Sequence, residues 1–448
     1  MAILLFVLSS CRSPARPTAL PSRSFASPVS QITFHTTLTL GSKEAPDDHW
    51  VGFFGGSVDI NGDVLVTGEP FWGRPPEEGV GAAYVFWKTS EGGWQLEATL
   101  LPSDRNSGFQ EDQHFGEVIA LQGTLVAVGA PGTDNPVAGD DTGAVYIYEF
   151  DGRNWVETEK LVSSRQQPGE KFGSVLALDG DLMAVAGAPE AGVVDIFRRE
   201  PQGWLEMSQI PVSATLEKEK PYVFIDLLGN TLALSTVTPY DLEEPDPQKQ
   251  VRSLKRTGIV TLYELSGEQW AQVFQTPAQE ASLYRISDGP YGLPIALGGE
   301  AGQASLLAIG KPGFPESGRE KGSVLIYERG DADWMPQVEL FLAPGEQVPG
   351  ILNFWPNPGA TFFGAAVAFD QSRLAVISTF ANTVYVFEPQ EADWAYQFRI
   401  TPGQIGDTFQ RRMVAMSGDQ LLLGSPGELG GGYIFVFDLA PEPTPSAP

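Results

Sequence analysis

The chain has 448 residues, of which 42% are apolar and 19% charged, so it is long enough to bury one large core or several smaller ones. Acidic residues outnumber lysine plus arginine by 56 to 28, and the net charge of -28 disfavours nucleic acid as a partner because phosphates are repelled. The single cysteine excludes an intramolecular disulfide, and the 50 glycines and 36 prolines are typical of an all-β chain with many turns.

The first residues predict export and lipidation. Residues 1–10 (MAILLFVLSS) form an apolar run that is far shorter than the roughly 20 residues a membrane span requires. Their end, followed by Cys11, resembles the bacterial lipobox, where a signal peptide is cut before a cysteine that is then lipidated. The run departs from that pattern because no basic residue precedes it. A chance cysteine behind an ordinary secretory signal is the alternative.

The next two segments are predicted to be a tether and a strand. Residues 11–31 are rich in proline, serine and arginine, the composition of a disordered tether. Residues 32–40 (ITFHTTLTL) are β-rich and match the strand that ends each later unit, as in LEATLLPSD at 96–104. At the other end of the chain, residues 440–448 (APEPTPSAP) are predicted to be a disordered tail.

From residue 54 onward the chain repeats one unit. Its clearest copy, residues 115–161, reads Phe-Gly, a turn, Gly-Ala-Pro, an aromatic return strand and a last strand opened by Trp155, which predicts four short antiparallel strands. Pro131 ends the second strand because proline has no N–H for a sheet ladder. Seven copies, spaced 46 to 72 residues apart, open at Phe54, Phe115, Phe172, Phe224, Tyr291, Phe363 and Phe409.

The count of strands predicts how the fold closes. The seventh copy lacks its tryptophan strand, whereas the N-terminal segment 32–40 is a strand that belongs to no complete copy. The sequence therefore predicts an all-β fold, a seven-bladed β-propeller of four-stranded antiparallel blades over residues 32–439, closed by pairing of residues 32–40 with residues 433–437.

Over residues 32–438 the repeats resemble the FG-GAP repeats of the integrin α-subunit propeller, and more closely those of bacterial FG-GAP proteins. WD40 blades would need a Trp-Asp strand end, and kelch blades a Gly-Gly doublet. The resemblance implies a propeller and says little about what is bound. The leading phenylalanines, the motif glycines and the exit tryptophans are interpreted as structural residues.

Calcium is only weakly indicated. Integrin-type blades often carry an Asp-x-Asp-x-Asp-Gly cage between strands one and two, but turns such as residues 61–63 (NGD) are too short for the six to eight oxygens that calcium requires. No cofactor is therefore predicted. The acidic loop 132–142 offers weak calcium candidates in Asp134, Asp140 and Asp141, with a solvated loop as the alternative.

Catalysis has little support in the sequence. The three histidines, His35, His49 and His114, stand in no recognisable catalytic motif, and the chain is predicted not to be an enzyme. Because acidic residues are abundant and can converge in space, a propeller-based carbohydrate-active hydrolase or lyase stays an alternative.

Topology predicts where a partner docks. The loops joining strands two to three and four to one emerge on one face, and they are long and rich in aromatic residues, as recognition loops often are. The alternative is that these loops fold back over the blade edges. The candidate ligand-face residues are Trp50, Trp72, Phe109, Tyr240, Phe314 and Trp355.

These features favour a monomeric binding or adhesion scaffold for a protein or carbohydrate ligand, at the cell surface or in the periplasm. It would contact the membrane through a lipid anchor alone. Arg12, where inner-membrane lipoproteins carry aspartate, favours the outer membrane by the lipobox resemblance. A structural subunit of an envelope complex is a further alternative.

Overall fold

The computed structural model describes most of the repeat region. The described residues are 22–25, 33–39, 53–73, 79–105, 112–188, 191–212, 222–238, 254–283, 293–300, 302–312, 322–331, 333–342, 363–378, 383–390, 393–400, 413–426 and 432–439. The predicted signal peptide, Cys11 and the predicted tail 440–448 lie outside them. None of the described residues forms a helix long and apolar enough to cross a membrane.

Within the described residues the strands form seven antiparallel sheets, which we number as blades in chain order. Blades one to three consist of β3 (Ser57–Asn61), β4 (Val64–Glu69), β5 (Ala82–Lys88), β6 (Trp94–Leu100), β7 (Val118–Gln122), β8 (Leu125–Ala130), β9 (Ala144–Phe150), β10 (Trp155–Leu161), β11 (Val175–Asp179), β12 (Leu182–Ala186), β13 (Val193–Glu200) and β14 (Gly203–Pro211). Blades four to six consist of β15 (Tyr222–Leu228), β16 (Thr231–Thr238), β17 (Leu254–Ser266), β18 (Gln269–Gln275), β20 (Ile295–Glu300), β21 (Gln303–Lys311), β22 (Ser323–Arg329), β23 (Trp334–Leu342), β24 (Phe363–Asp370), β25 (Arg373–Ser378), β26 (Thr383–Gln390) and β27 (Asp393–Ile400). Blade seven consists of β28 (Met413–Ser417), β29 (Gln420–Ser425), β30 (Tyr433–Asp438) and β2 (Thr33–Leu38).

The predicted closure of the ring is confirmed. Strand β2 pairs antiparallel with β30, from Thr33 opposite Asp438 to Leu38 opposite Ile434, and so supplies the fourth strand that blade seven lacks. The first strands of the blades contact one another in a closed cycle, β3 to β7, β11, β15, β20, β24, β28 and back to β3. The protein is a seven-bladed β-propeller.

Each blade also carries the same irregularity in its fourth strand. A β-bulge falls three residues after the opening tryptophan in six blades, at Glu97, Thr158, Met207, Val273, Gln337 and Gln397. Strand β2 has its bulge at His35, in the corresponding place. Bulges increase local twist and make an edge strand a poor template for further pairing, so they help to protect the seven outer edges.

Four of the leading phenylalanines lie between blades, which agrees with their interpretation as structural residues. Phe54, Phe115, Phe172 and Phe363 are each at most 1% exposed. Phe115 packs edge-on against Tyr146 of its own blade, with ring centroids 5.4 Å apart, and belongs to the apolar cluster between blades one and two. The junction between each pair of blades is thus the core of the protein.

The motif glycines allow two backbones to touch at these junctions. Gly116 has φ +90°, and a Cβ there would collide with the carbonyl oxygen of Ala82 in blade one. Gly68, in the GAP strand of blade one, lies in turn against the carbonyl oxygen of Gly116. The Phe-Gly motif of one blade and the Gly-Ala-Pro strand of the preceding blade are therefore in backbone contact across the junction. The same pairing joins blades two and three through Gly129 and Gly173.

Two blades carry an additional strand. In blade five, β1 (Ser22–Phe25) runs parallel to the outer strand β23, with Ser22 opposite Glu339. The prediction of a disordered tether needs correction at these four residues, because the outer edge of a blade offers unpaired backbone groups to any nearby extended segment. In blade four, β19 (Gln279–Leu283) pairs with the first five residues of β17 and lengthens the outer hairpin.

Candidate functional site

The two faces of the ring differ in their connections. Every turn between strands one and two has two residues, as between Asn61, which ends β3, and Val64, which begins β4. On the opposite face, which we call the long-loop face, β6 ends at Leu100 and β7 begins only at Val118. Residues that emerge on the long-loop face are therefore free to vary without disturbing the hairpins that build the ring.

Of the predicted ligand-face residues, only Trp72 lies in the described part of the chain. Trp50, Phe109, Tyr240, Phe314 and Trp355 lie outside it. Trp72 follows a turn in which its N–H bonds to the Glu69 carbonyl at 3.1 Å, and it packs against the apolar cluster between blades seven and one. Its neighbour Phe71 is the more exposed of the two, at 37%. Sequence alone could not decide which of two adjacent aromatic residues faces outward.

Phe71 belongs to a small aromatic cluster on the long-loop face. Its ring lies 4.9 Å from that of Phe53 and 4.9 Å from the imidazole of His114, with interplanar angles of 59° and 68°. His114 Nδ1 lies 3.3 Å from a carboxylate oxygen of Glu117. The cluster thus joins blade one to the loop that enters blade two.

The backbone of this cluster is strained. Phe53 has φ +73° and His114 has φ +56°, a left-handed conformation that is unusual for residues with a bulky side chain. Both residues directly precede the Phe-Gly of their blade, and Lys171, in the same place in blade three, has φ +52°. The tight turn into each first strand imposes this conformation and fixes where the preceding side chain points.

The loop between β8 and β9 is also well ordered. Asn135 and Gly139 exchange two backbone hydrogen bonds of 2.9 and 2.8 Å, and Asn135 Oδ1 accepts from the N–H groups of Val137 and Ala138. The Asn135 side-chain amide donates to Gln166 in the loop that enters blade three. Val137, at the tip, is 95% exposed.

The three calcium candidates lie in this same loop. Asp134 Oδ1 accepts the N–H of Asp141 at 2.8 Å, and Asp141 forms an ion pair of 3.4 Å with Lys171, while Asp140 is exposed. Across the described ranges, no three His, Cys, Asp or Glu side chains converge in a way that would hold a metal ion. Asp134 and Asp141 serve to shape the loop.

Two half-buried carboxyl groups on first strands were not singled out from the sequence. Asp59 accepts the N–H of Leu121 in blade two at 2.7 Å, and Asp226 accepts the N–H of Leu297 in blade five at 2.6 Å. Burial raises the pKa of Asp59 to about 7, and that of Asp226 to about 6, against the opposing effect of these N–H groups. The charge of Asp226 raises the pKa of Asp59 further. Both groups tie neighbouring blades together.

Side-chain hydrogen bonds and ion pairs also join neighbouring blades near the long-loop face. Tyr146 and Lys160 of blade two donate to Asp104, which follows the last strand of blade one, at 2.8 and 2.5 Å. These bonds outweigh burial and hold the pKa of Asp104 below its usual value. At the junction between blades two and three the positions of the positive and negative charge are reversed. Arg165 follows the last strand of blade two, as Asp104 follows that of blade one, and it donates two hydrogen bonds of 2.9 and 3.0 Å to Asp195 of blade three. Aligning the repeats would have revealed this reversal.

The comparisons with known proteins agree with this architecture. Residues 94–148, which run from the last strand of blade one into the third strand of blade two, match the FG-GAP repeat family. No curated protein sequence matches the chain significantly.

Similar solved structures are distant. They include a chain of the mitotic checkpoint complex, with 11% identity, a TM-score of 0.49 and coverage of 97% of this chain and 98% of that chain. The WD40 domain of Toxoplasma gondii coronin has 10% identity, a TM-score of 0.49 and coverage of 93% and 90%. The periplasmic gluconolactonase of Pseudomonas aeruginosa has 12% identity, a TM-score of 0.41 and coverage of 78% and 85%. None of them carries an argument about function.

Proposed function

We propose that this FG-GAP repeat β-propeller is a binding scaffold of the bacterial cell envelope, which recognises a protein or carbohydrate ligand with its long-loop face. The observation that carries the proposal is the difference between the two faces. One face holds short turns of two to five residues, whereas the other holds the long connections and the exposed aromatic residue Phe71. Variable loops on a rigid ring are a common arrangement for recognition.

The electrostatics of the chain are consistent with this role. A net charge of -28 keeps the scaffold soluble, repels anionic partners and speeds the approach of cationic ones. The carboxyl groups of Asp59 and Asp226, whose pKa values are raised by burial, are engaged with backbone N–H groups of neighbouring blades. We propose a role in binding, without a chemical reaction.

Site-specific photo-crosslinking in living cells tests the choice of face. A benzophenone amino acid at Phe71 is expected to give a discrete crosslinked product, whereas the same amino acid at Leu205, which is 48% exposed on the outer strand of blade three, is not. Products from Leu205 alone, or equal products from both positions, would contradict the proposal.

The envelope location rests on Cys11 and residues 1–10. We expect the Cys11→Ser variant to lose labelling by radioactive palmitate and to move from the membrane fraction to the soluble fraction. A wild-type chain that stays unlabelled and in the soluble fraction would contradict the lipid anchor. The binding role is tested separately, by the crosslinking experiment.

A further inference from the structure

Exposed large apolar side chains fall into two groups among the described residues. Four lie on the outer strands of blades two to five, namely Val156, Leu205, Val273 and Met335. The other four, Phe71, Val137, Met413 and Tyr433, lie where chain segments enter or leave the long-loop face. This second group comes from blades seven, one and two, which are neighbours in the ring.

Val137 is held out from this face by a loop that is already ordered. The paired backbone of Asn135 and Gly139, the two N–H groups that bond to Asn135 Oδ1 and the contact with Gln166 fix the loop from several sides. An apolar side chain presented in this way loses little conformational entropy when a partner covers it. Its 95% exposure is unfavourable in water and is removed if it enters a pocket.

The loop of Val137 and the cluster of Phe71 are connected through the segment that enters blade two. The N–H of Gly132, at the start of the loop, bonds to the carbonyl of Gln113 at 3.0 Å. Gln113 directly precedes His114, whose imidazole contacts Phe71. We call the loop around Val137 and the aromatic cluster of Phe71 together the blade-two ledge.

The chemistry of the ledge favours a protein over a sugar. Sugars stack on the open face of an aromatic ring, but the ring of Phe71 already has two ring neighbours, Phe53 and His114, each with its centroid 4.9 Å away. Val137 offers neither a ring nor a hydrogen bond from its side chain. An aliphatic tip beside an aromatic cluster matches an apolar pocket in a partner protein.

The charge of the ledge indicates the character of that protein. Asp140 and Asp141 stand beside the tip, and Glu117, which is 44% exposed, stands beside the aromatic cluster. Lys171 pairs with Asp141 at 3.4 Å, in an exposed position where such a pair contributes little. With a net charge of -28 behind it, the ledge attracts a basic surface.

We propose that the blade-two ledge binds a basic protein surface that receives Val137 in an apolar pocket and covers Phe71. This inference rests on the proposed binding role and narrows it to one sector of the long-loop face and one class of partner. The outer-strand residue Leu205 provides a matched control, because it is also apolar and exposed, at 48%, but lies away from the ledge.

A displayed library of disulfide-constrained random peptides of about 16 residues serves as the probe, selected against the full chain. Enriched peptides should be rich in lysine and arginine and should bind at least about tenfold more weakly to Val137→Asp and Phe71→Asp, but equally well to Leu205→Asp. Their binding should also weaken as salt is raised. Thermal unfolding of each variant checks that it remains folded, and Val137→Ala, which adds no charge, should give a smaller loss in the same direction.

The outcomes separate the two proposals. Peptides that are not basic, no enrichment at all, or binding unaffected by Val137→Asp and Phe71→Asp would overturn the ledge. Peptides whose binding is instead lost with Trp50→Ala or Trp355→Ala would leave the long-loop face as the binding surface. Binding that depends only on Leu205 would overturn both.

Discussion

At the scale of single residues, the motif glycines show how a short sequence signal controls a junction between blades. Gly116 and Gly123 both have positive φ, +90° and +57°, but only Gly116 lies against another backbone. The glycine of each Phe-Gly is therefore required twice, for its conformation and for the space it leaves.

Substitution of these two glycines separates the requirements. Gly123→Ala is expected to cost about 1 kcal/mol, because only the left-handed conformation is penalised. Gly116→Ala should cost about 3 kcal/mol or more, because its Cβ would also collide with the Ala82 carbonyl oxygen. Urea denaturation measures both. Equal losses would show that the close approach of blades one and two is unimportant.

The half-buried carboxyl groups make stability depend on pH in an unusual direction. The pKa of Asp59 is raised to about 7, so between about pH 4 and pH 7 the folded state binds more protons than the unfolded state. The free energy of unfolding should therefore increase as pH falls from 8 to 5, by about 2 to 3 kcal/mol from this residue. Asp226, with a pKa of about 6, adds to the effect over a lower range.

The Asp59→Asn variant isolates this contribution. Asparagine keeps one oxygen for the N–H of Leu121 and carries no charge at any pH, so the variant should show a smaller gain on acidification. Denaturation curves at pH 8 and pH 5 for both proteins give the comparison. The same pH dependence in the wild type and the variant would contradict the role of Asp59.

The ion pair of Arg165 and Asp195 stabilises the junction between blades two and three. Asp195 is fully buried and depends on Arg165, so Arg165→Ala is expected to destabilise the protein by about 3 kcal/mol. Arg199→Ala removes a pair with Glu149 that is about one-third exposed at both partners, and should cost no more than about 1 kcal/mol. Asp195→Asn combined with Arg165→Ala should recover part of the loss. Thermal unfolding of the three variants checks the order.

At the scale of the element, strand β2 decides whether the ring is closed. It pairs with β30 along nearly its whole length and repeats the bulge of the other outer strands, whereas β1 adds only four pairs outside the ring. Removal of residues 1–31 should thus have little effect on the thermal midpoint. Removal of residues 1–40 should lower it by well over 5 °C and expose the edge of β30 to aggregation.

A peptide of residues 31–40 supplies the control for this truncation. Added in excess to the shorter chain, it should restore part of the lost thermal stability by pairing with β30. If the chain that lacks residues 1–40 melted together with the full-length protein, the closing role of β2 would be wrong.

Some elements followed from the sequence and others did not, for physical reasons. The seven blades, the two-residue turns and the closure by β2 follow from counting strands, because most repeats keep their aromatic, glycine and tryptophan positions. The bulges leave no such trace, since Glu97, Thr158 and Met207 share no chemistry.

The sequence predicted the face of the candidate site but not the orientation of its side chains. Topology identified the face, but the orientation of Phe71 and Trp72 depends on a single turn, and the exposure of Val137 depends on bonds made by Asn135. Asp59 resembles an ordinary polar strand residue until Leu121 of the next blade is placed beside it. Apart from the contacts of the motif glycines, such side-chain contacts between blades are set by the whole ring and leave no local pattern in the sequence.

At the scale of the whole molecule, the ring is a circle of similar but unequal junctions. Those with both motif glycines bring backbones into contact, as between blades seven and one through Gly424 and Gly55. In blade four, Ser235 pairs with Phe224 at the position where Gly129 pairs with Val118 in blade two, so the GAP glycine is replaced by a residue with a side chain. We expect hydrogen exchange to be faster in β15 and β16 than in β7 and β8. Equal protection of the two blades would show that the motif glycines do not set junction stability.

The pairing of Thr33 with Asp438 joins two strands that are separated in sequence by the whole of the propeller. Because β2 is synthesised before all seven blades and β30 belongs to the last of them, β2 cannot pair until β30 has been made. Closing the ring is then a contact of very large sequence separation, which is intrinsically slow. A holding chaperone that shields extended segments during this interval would raise the yield of native protein, whereas an early stop in translation would leave a chain that cannot finish folding.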